Sequence, residues 1–151
     1  MNGRPDEGEV HVTGHCYCGT IAFEVRIPSG SKPIFTAYCH CASCRRAHAA
    51  PLYQVACVEE SMFRITAGQE HLKTFSKTET SVCRAFCDVC GSKVLNRFPG
   101  WRPDGRVPVA FFPSLLKEEV QHALPELLRP SKHAWRDETV LDPAVLSELL
   151  R

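Results

Sequence analysis

Three cysteines lie within six residues, in the segment Cys39-His40-Cys41-Ala42-Ser43-Cys44, and two arginines follow it. A hydrophobic core does not need thiols at this density, whereas a soft metal ion binds them well. Three protein ligands with one open coordination position are typical of a catalytic zinc ion. The segment therefore predicts a zinc site on Cys39, Cys41 and Cys44 that can accept a substrate atom.

Two other interpretations of the same segment remain open at this point. A closed, structural site would use His40 or His48 as its fourth ligand. His48 follows Cys44 by four residues, which is about one helical turn, whereas His40 would point away from the thiols in an extended segment. The three thiols could instead form a redox group without metal. The open zinc site is preferred to both.

The chemistry of an open site with three thiolates favours a sulfur substrate. Such a zinc ion carries a net charge of about −1, so it is a weak Lewis acid and activates water poorly. It is better suited to holding a substrate thiol as a nucleophilic thiolate. Arg45 and Arg46 can bind a substrate carboxylate through their planar guanidinium groups. His40 and His48 are further candidates for substrate contact.

A second group of thiols comes from two short turns, Cys16-x-Cys18-Gly19 and Cys87-x-x-Cys90-Gly91. Glycine permits the positive φ that folds each turn back, so that both sulfur atoms of a turn point to one place. Four thiolates form a closed tetrahedral zinc site that joins chain segments about 70 residues apart. The alternative is two unrelated cysteine pairs. Cys57 and Cys83 remain, and both are expected to be small buried residues.

Composition limits the partners and the compartment. The 151 residues include 18 basic and 17 acidic side chains, so no overall field attracts nucleic acid or an anionic membrane. No apolar run approaches the roughly 18 residues of a membrane span, and residues 1–9 lack the apolar segment of a signal peptide. These absences predict a reducing, intracellular location, either cytoplasmic or nuclear, and in such a compartment nine clustered cysteines favour metal ligands over disulfides.

The hydrophobic pattern predicts many short strands and little helix. Ile21, Phe23, Val25 and Ile27 alternate with smaller or charged residues, as in a half-buried strand. Pro108 places the segment 107–112 at an edge or a bulge. The remaining predicted strands cover residues 10–15, 34–38, 51–58, 62–66, 72–76, 80–86 and 94–98.

Helical structure is predicted at three places. Residues 42–50 have room for one or two turns, and residues 114–123 for a short turn followed by an extended piece. Asp142 and Pro143 can begin a C-terminal helix with an apolar stripe made of Val145, Leu146, Leu149 and Leu150. The organisation is thus a flexible arm at residues 1–9 and a single zinc-binding domain at residues 10–151.

Three motifs in this order are specific enough to indicate a family. They are Gly14-His15-Cys16-Tyr17-Cys18-Gly19, the segment from Cys39 to Arg46, and Arg84-Ala85-Phe86-Cys87-Asp88-Val89-Cys90-Gly91-Ser92. With them, residues 10–135 resemble the glutathione-dependent formaldehyde-activating enzyme family, whose superfamily includes centromere protein V.

The resemblance implies a mainly β, zinc-bound β-tent fold of several small coiled antiparallel sheets with a short C-terminal helix. It implies two zinc ions per chain, a structural one on Cys16, Cys18, Cys87 and Cys90 and a catalytic-type one on the inner three cysteines. It also implies a carbon–sulfur lyase that, in the synthetic direction, joins glutathione to formaldehyde as S-hydroxymethylglutathione.

Two non-catalytic functions stand beside the enzyme. The first is a zinc-stabilised binding protein similar to centromere protein V, and the chain lacks the basic or proline-rich tail that would favour it. The second is a glutathione-sensing or thiol-sensing module that uses the inner site without turnover. No residue pattern specifies an oligomeric state.

Overall fold

Ten β-strands dominate residues 8–149, which are the residues that the computed structural model describes. Three short helices accompany them: α1 (Ala42–His48), α2 (Glu118–His122) and α3 (Pro143–Leu149). The strands are β1 (Val10–His15), β2 (Ala22–Ile27), β3 (Phe35–Cys39), β4 (Tyr53–Val58), β5 (Phe63–Ala67), β6 (Leu72–Phe75), β7 (Cys83–Cys87), β8 (Lys93–Arg97), β9 (Val109–Phe111) and β10 (His133–Ala134).

The strands form two sheets. One is three-stranded, in the order β1-β2-β5, and the other is seven-stranded, in the order β10-β3-β4-β9-β8-β7-β6. Every pair is antiparallel except β10 with β3, which is parallel. The prediction of a mainly β chain with antiparallel sheets and a short C-terminal helix is confirmed.

The hydrophobic core joins the two sheets. Ile21, Phe23, Val25 and Ile27 are all buried, as their alternation predicted. The Phe23 ring stacks on Phe63 with centroids 5.2 Å apart and lies 6.3 Å from Phe111 of the larger sheet. The small sheet therefore packs on the larger one through its apolar face.

Strand β9 corrects one prediction. It is neither an edge strand nor bulged, because it pairs with β4 on one side and with β8 on the other. Pro108 lies just before the first residue of β9, so its missing N–H costs the sheet no hydrogen bond.

The helical segments agree with the sequence in part. Asp142 begins α3 as predicted, since its side chain accepts a 2.8 Å hydrogen bond from the Ala144 N–H. Val145 and Leu149 of the apolar stripe are exposed, and Leu150 lies outside the described residues. The prediction of an extended segment at the end of residues 114–123 is wrong, because α2 (Glu118–His122) occupies that part of the chain. Of the predicted arm, residues 1–7 also lie outside the described residues.

The described helices do not meet what a membrane span requires. Within residues 8–149, no helix combines the length and the apolar character that crossing a bilayer requires.

A buried carboxylate stabilises the three-stranded sheet. Glu24 of β2 is only 8% exposed. Its Oε1 accepts hydrogen bonds of 2.9 and 2.7 Å from the Arg64 guanidinium, and its Oε2 lies 3.0 Å from His11 Nε2. Hydrogen bonds from Arg64, then His11, lower the pKa of Glu24 to about 2. The carboxylate is therefore ionised in the folded protein down to strongly acidic pH.

We expect Glu24→Gln to destabilise the protein in a pH-dependent manner. A carboxyl group with a lowered folded-state pKa contributes stability above its unfolded pKa, and this contribution disappears as the pH falls through the folded pKa. The difference between wild type and variant should be constant near neutral pH and should narrow from about pH 4.5 towards pH 2. Urea midpoints measured from pH 7 to pH 3 test this, and a difference independent of pH would contradict it.

Candidate metal centres

The outer four thiols meet where the two cysteine turns face each other. Cys16 and Cys18 lie in the turn between β1 and β2, Cys87 ends β7, and Cys90 lies in the turn before β8. Both turns close through a glycine N–H, from Gly19 to the Cys16 carbonyl and from Gly91 to the Cys87 carbonyl.

Backbone conformation explains the choice of glycine in these turns. Gly19 and Gly91 have φ values of +79° and +77°, while nothing lies within 4 Å of the place where either would carry a Cβ. Their left-handed backbone, rather than a lack of space, therefore requires glycine.

The outer sulfur atoms have the spacing of a tetrahedral zinc site. All four lie within 4.8 Å of one another. Cys18 Sγ is 3.6 Å from Cys16 Sγ and 3.9 Å from Cys87 Sγ. Zinc–sulfur bonds of about 2.3 Å in a regular tetrahedron put sulfur atoms about 3.8 Å apart. The spacing of the four thiols therefore fits a closed zinc site.

Hydrogen bonds support two of these thiols as thiolates. A side-chain hydrogen bond with Ser92 is the largest cause that lowers the pKa of Cys90 to about 6. A side-chain hydrogen bond with Thr20 likewise lowers the pKa of Cys18. Burial raises the pKa of Cys87 to about 11. The Ser92 hydroxyl also accepts from the Tyr17 N–H at 2.9 Å, which ties the two turns together.

The inner three thiols are positioned by the junction between β3 and α1. Cys39 is the last residue of β3, Cys41 is the N-cap of α1, and Cys44 lies in the first turn of the helix. The Cys44 N–H donates to Cys41 Sγ at 3.4 Å. The three sulfur atoms lie within 4.8 Å of one another, and no other described histidine, cysteine or carboxylate joins this group.

His40 does not complete the inner group, and its burial does not favour the predicted contact with substrate. Its side chain is fully buried, with Nε2 2.9 Å from His133 Nδ1 and Nδ1 3.1 Å from Thr139 Oγ1. The extended backbone at the end of β3 turns it away from the neighbouring cysteines, and both ring nitrogens already have partners.

His48 does not complete the group either. Its ring stacks on Tyr53 with centroids 4.0 Å apart and meets the edge of Phe112 at 4.8 Å. Burial lowers the pKa of His48 to about 4, so the ring is neutral near pH 7. His48 is absent from the residues that line the adjacent pocket. The described protein therefore supplies three ligands to this site and packs both candidate histidines elsewhere.

A large pocket opens over the inner thiols. Its volume is about 940 Å³, near the upper end for small-molecule sites. Cys39, Cys41 and Cys44 form part of its wall, and no carboxylate lines it in the described part of the chain. Four basic side chains line it: Arg46, Lys77, Arg84 and Lys93. The pocket therefore suits an anionic ligand.

The two arginines after the cysteine segment have different positions. Arg46 lines the pocket, as predicted for a residue that binds substrate. Arg45 does not line it, and its Nε donates to the His40 carbonyl at 3.1 Å. Arg45 thus holds the cysteine loop, and this position does not favour its predicted contact with substrate.

Sequence reasoning missed two polar residues beside the inner thiols. The Tyr53 hydroxyl donates to Cys44 Sγ at 3.3 Å, and the Arg84 guanidinium nitrogens lie 3.7 and 3.8 Å from the same sulfur. Arg84 stands in the third cysteine motif, so the motif itself was a signal for it. Tyr53 pairs with Cys39 in the sheet, and only the register reveals this.

These contacts favour negative charge at Cys44. Hydrogen bonding from Cys39 is the largest cause that lowers the pKa of Cys44 to about 5. Tyr53 and Arg84 act in the same direction. The pKa of Cys39 is raised instead, by its hydrogen bond with Cys44 and by burial. The site is prepared to hold at least one thiolate, which is the form that binds zinc.

Comparisons with known proteins agree with this arrangement. The model of a family described as glutathione-dependent formaldehyde-activating enzyme matches residues 11–138. A crystal structure of a Rhodobacter sphaeroides protein, determined as a structural genomics target, is similar with a TM-score of 0.54 and 23% identity. That likeness covers 76% of this chain and 96% of the other, and at this identity it concerns the fold alone.

Proposed function

Because the chain belongs to the glutathione-dependent formaldehyde-activating enzyme family, we propose that it joins the thiol of glutathione to formaldehyde as S-hydroxymethylglutathione. The reverse reaction is that of a carbon–sulfur lyase. One observation carries the proposal: three cysteines lie in the wall of a pocket lined by four cations, and the described residues add neither a fourth ligand to the cysteines nor a carboxylate to the pocket.

Two zinc ions per chain are part of the proposal. Cys16, Cys18, Cys87 and Cys90 would hold the structural ion. Cys39, Cys41 and Cys44 would hold the other, which when bound supplies a soft position for a substrate sulfur in its nucleophilic thiolate form. Three thiolates outweigh the charge of one zinc ion, and a substrate thiolate adds more negative charge. The Arg84 guanidinium beside Cys44 and the Tyr53 hydroxyl offset that charge.

The charges of the pocket match the rest of the substrate. Glutathione carries two carboxylates and one ammonium group besides its thiol. Arg46, Lys77 and Lys93 line the same pocket as the inner thiols and can pair with those carboxylates. Such contacts would hold glutathione with its sulfur at the three cysteines. The thiolate is then already positioned when formaldehyde arrives, which lowers the entropic cost of the reaction.

The reaction balances without a further reactant. A bond forms between the thiolate sulfur and the formaldehyde carbon, and the electron pair of the carbonyl π bond moves to oxygen. The oxygen takes one proton, which replaces the proton lost by the thiol. No atom is oxidised or reduced by an outside partner, so zinc and the two substrates suffice.

Calorimetric titration with glutathione, followed by a formaldehyde-consumption assay, tests the proposal. The zinc-loaded protein should bind glutathione and consume formaldehyde faster than the spontaneous reaction. We expect Arg84→Met to weaken glutathione binding about tenfold or more, since it removes a charged hydrogen-bond donor. The affinity of Arg84→Lys for glutathione should lie between those of the wild type and Arg84→Met.

Other outcomes identify the alternatives. Binding without accelerated consumption would favour a glutathione carrier or sensor. No heat of binding together with no turnover would leave a zinc-stabilised binding protein and refute the enzyme.

A further inference from the structure

Aromatic side chains form a second part of the wall of the large pocket. We call this part the aromatic sector, and it consists of Phe35, Phe75, Phe86, Phe98 and Trp135. Phe75 is 60% exposed and Trp135 is 62% exposed, although both belong to a pocket that also contains the inner thiols. Exposed aromatic rings gathered around one cavity mark a binding surface for an apolar group.

Neighbouring side chains contact three rings of the aromatic sector, those of Phe35, Phe86 and Phe98. Trp101, which does not line the pocket, packs its ring edge against Phe35 at 6.0 Å and lies 5.7 Å from Phe98. The Lys93 ammonium lies 5.1 Å from the centre of the Phe86 ring. Phe35 and Phe98 are thus supported by a ring outside the cavity, and the Phe86 ring contacts a cation that lines the cavity with it.

Trp135 reaches the pocket through an unusual backbone conformation. Its φ of +56° lies in the left-handed region, which bulky residues rarely adopt. Hydrogen bonds on both sides impose it: the His40 N–H donates to the Ala134 carbonyl at 3.0 Å, and the Ala42 N–H donates to Glu138 Oε2 at 2.7 Å. A strained residue that neighbouring contacts hold in place beside a binding site indicates a functional position.

The reaction proposed above leaves the aromatic sector without a partner. Formaldehyde has a single carbon atom, and glutathione is polar along its whole length. The cations and the inner thiols match the carboxylates and the thiol, whereas neither substrate has an aromatic or large apolar group to match five aromatic rings.

We propose that, in addition to formaldehyde, the protein accepts apolar aldehydes whose alkyl or aryl group packs into the aromatic sector. This inference rests on the proposed function for the thiol partner. The product is the S-(1-hydroxyalkyl) derivative of the thiol. The thiolate sulfur bonds to the aldehyde carbon, the π pair of the carbonyl moves to oxygen, and the oxygen takes the proton that the thiol gave up.

Two stable thioethers test the sector without chemistry at the metal. S-Benzylglutathione and S-methylglutathione share the tripeptide and differ only in the apolar group. Calorimetry on the zinc-loaded protein should show S-benzylglutathione binding about tenfold tighter, because its ring leaves water for the sector. Trp135→Ala and Phe75→Ala should each reduce that ratio to about threefold or less, with zinc content and glutathione affinity unchanged. Val140→Ala, an exposed apolar residue outside the pocket, is the control and should keep the full ratio.

Equal affinities for the two thioethers, or no binding of either, would overturn the inference. A ratio that persists in Trp135→Ala and Phe75→Ala would do the same, because the ring would then lie elsewhere. The proposed function is judged separately, by glutathione binding and formaldehyde turnover. Turnover of formaldehyde with equal thioether affinities would refute only the binding of an apolar group by the aromatic sector. A tenfold ratio of thioether affinities without formaldehyde turnover would refute only the formaldehyde reaction.

Discussion

Replacing Cys87 with serine should give a protein that neither folds nor retains either zinc ion. Cys87 is fully buried at the end of β7, and its group joins the first and second halves of the chain. Zinc binding to a structural cysteine site contributes about 10–16 kcal/mol in small zinc domains, whereas a whole domain is stable by only about 5–15 kcal/mol. Losing this site therefore removes more stability than the rest of the chain can supply.

Circular dichroism and metal analysis measure this effect. Cys83→Ser is the matched control, because Cys83 lies in the same strand, is half-buried and belongs to neither thiol group. We expect the control to retain two zinc ions and a cooperative thermal transition. A folded Cys87→Ser protein that still binds one zinc ion would show that the outer four thiols are not what holds the fold together.

Replacing Cys41 with serine should have the opposite result: the fold survives and activity is lost. Cys41 is the N-cap of α1, and its Sγ accepts a hydrogen bond from the Cys44 N–H at 3.4 Å. Serine is one of the best N-cap residues, so its hydroxyl can replace that contact. It is a poor zinc ligand, however, and a site with three protein ligands loses a third of its sulfur donors.

Metal analysis of Cys41→Ser should find one zinc ion fewer per chain, with a circular dichroism spectrum like that of the wild type. Consumption of formaldehyde in the presence of glutathione should fall to the spontaneous rate. Loss of both metals with unfolding would refute the assignment of separate roles to the two groups. Retention of full activity would place the chemistry outside the inner thiols.

Local sequence was sufficient for the thiol groups and for most strands. Thiols two or three residues apart lie close together in any tight turn, so spacing alone grouped the inner three cysteines and each of the two outer pairs. The two outer pairs are about 70 residues apart, and the fold brings them together. The alternation in β2 required one buried face, and the structure buries it. Short-range spacing and the period of a strand determine both features.

The sequence erred where a neighbour in space decides the outcome. Pro108 suggested an edge strand, but β9 begins one residue later and lies in the middle of the larger sheet. Arg45 and Arg46 look alike in the sequence. One binds the His40 carbonyl and the other lines the pocket, because adjacent residues on a helix point in different directions.

What the sequence determined by itself is therefore the inner group of three thiols, the two outer cysteine turns and the mainly β class, because each depends on residues a few positions apart. The tertiary structure decided the surroundings of the inner thiols. It turned His40 into the interior and packed His48 against Tyr53. It also brought Arg84 to Cys44 and Trp135 to the mouth of the pocket. Arg84 and Trp135 are distant in sequence from the inner thiols, and only the order and register of the seven-stranded sheet place them around the same cavity.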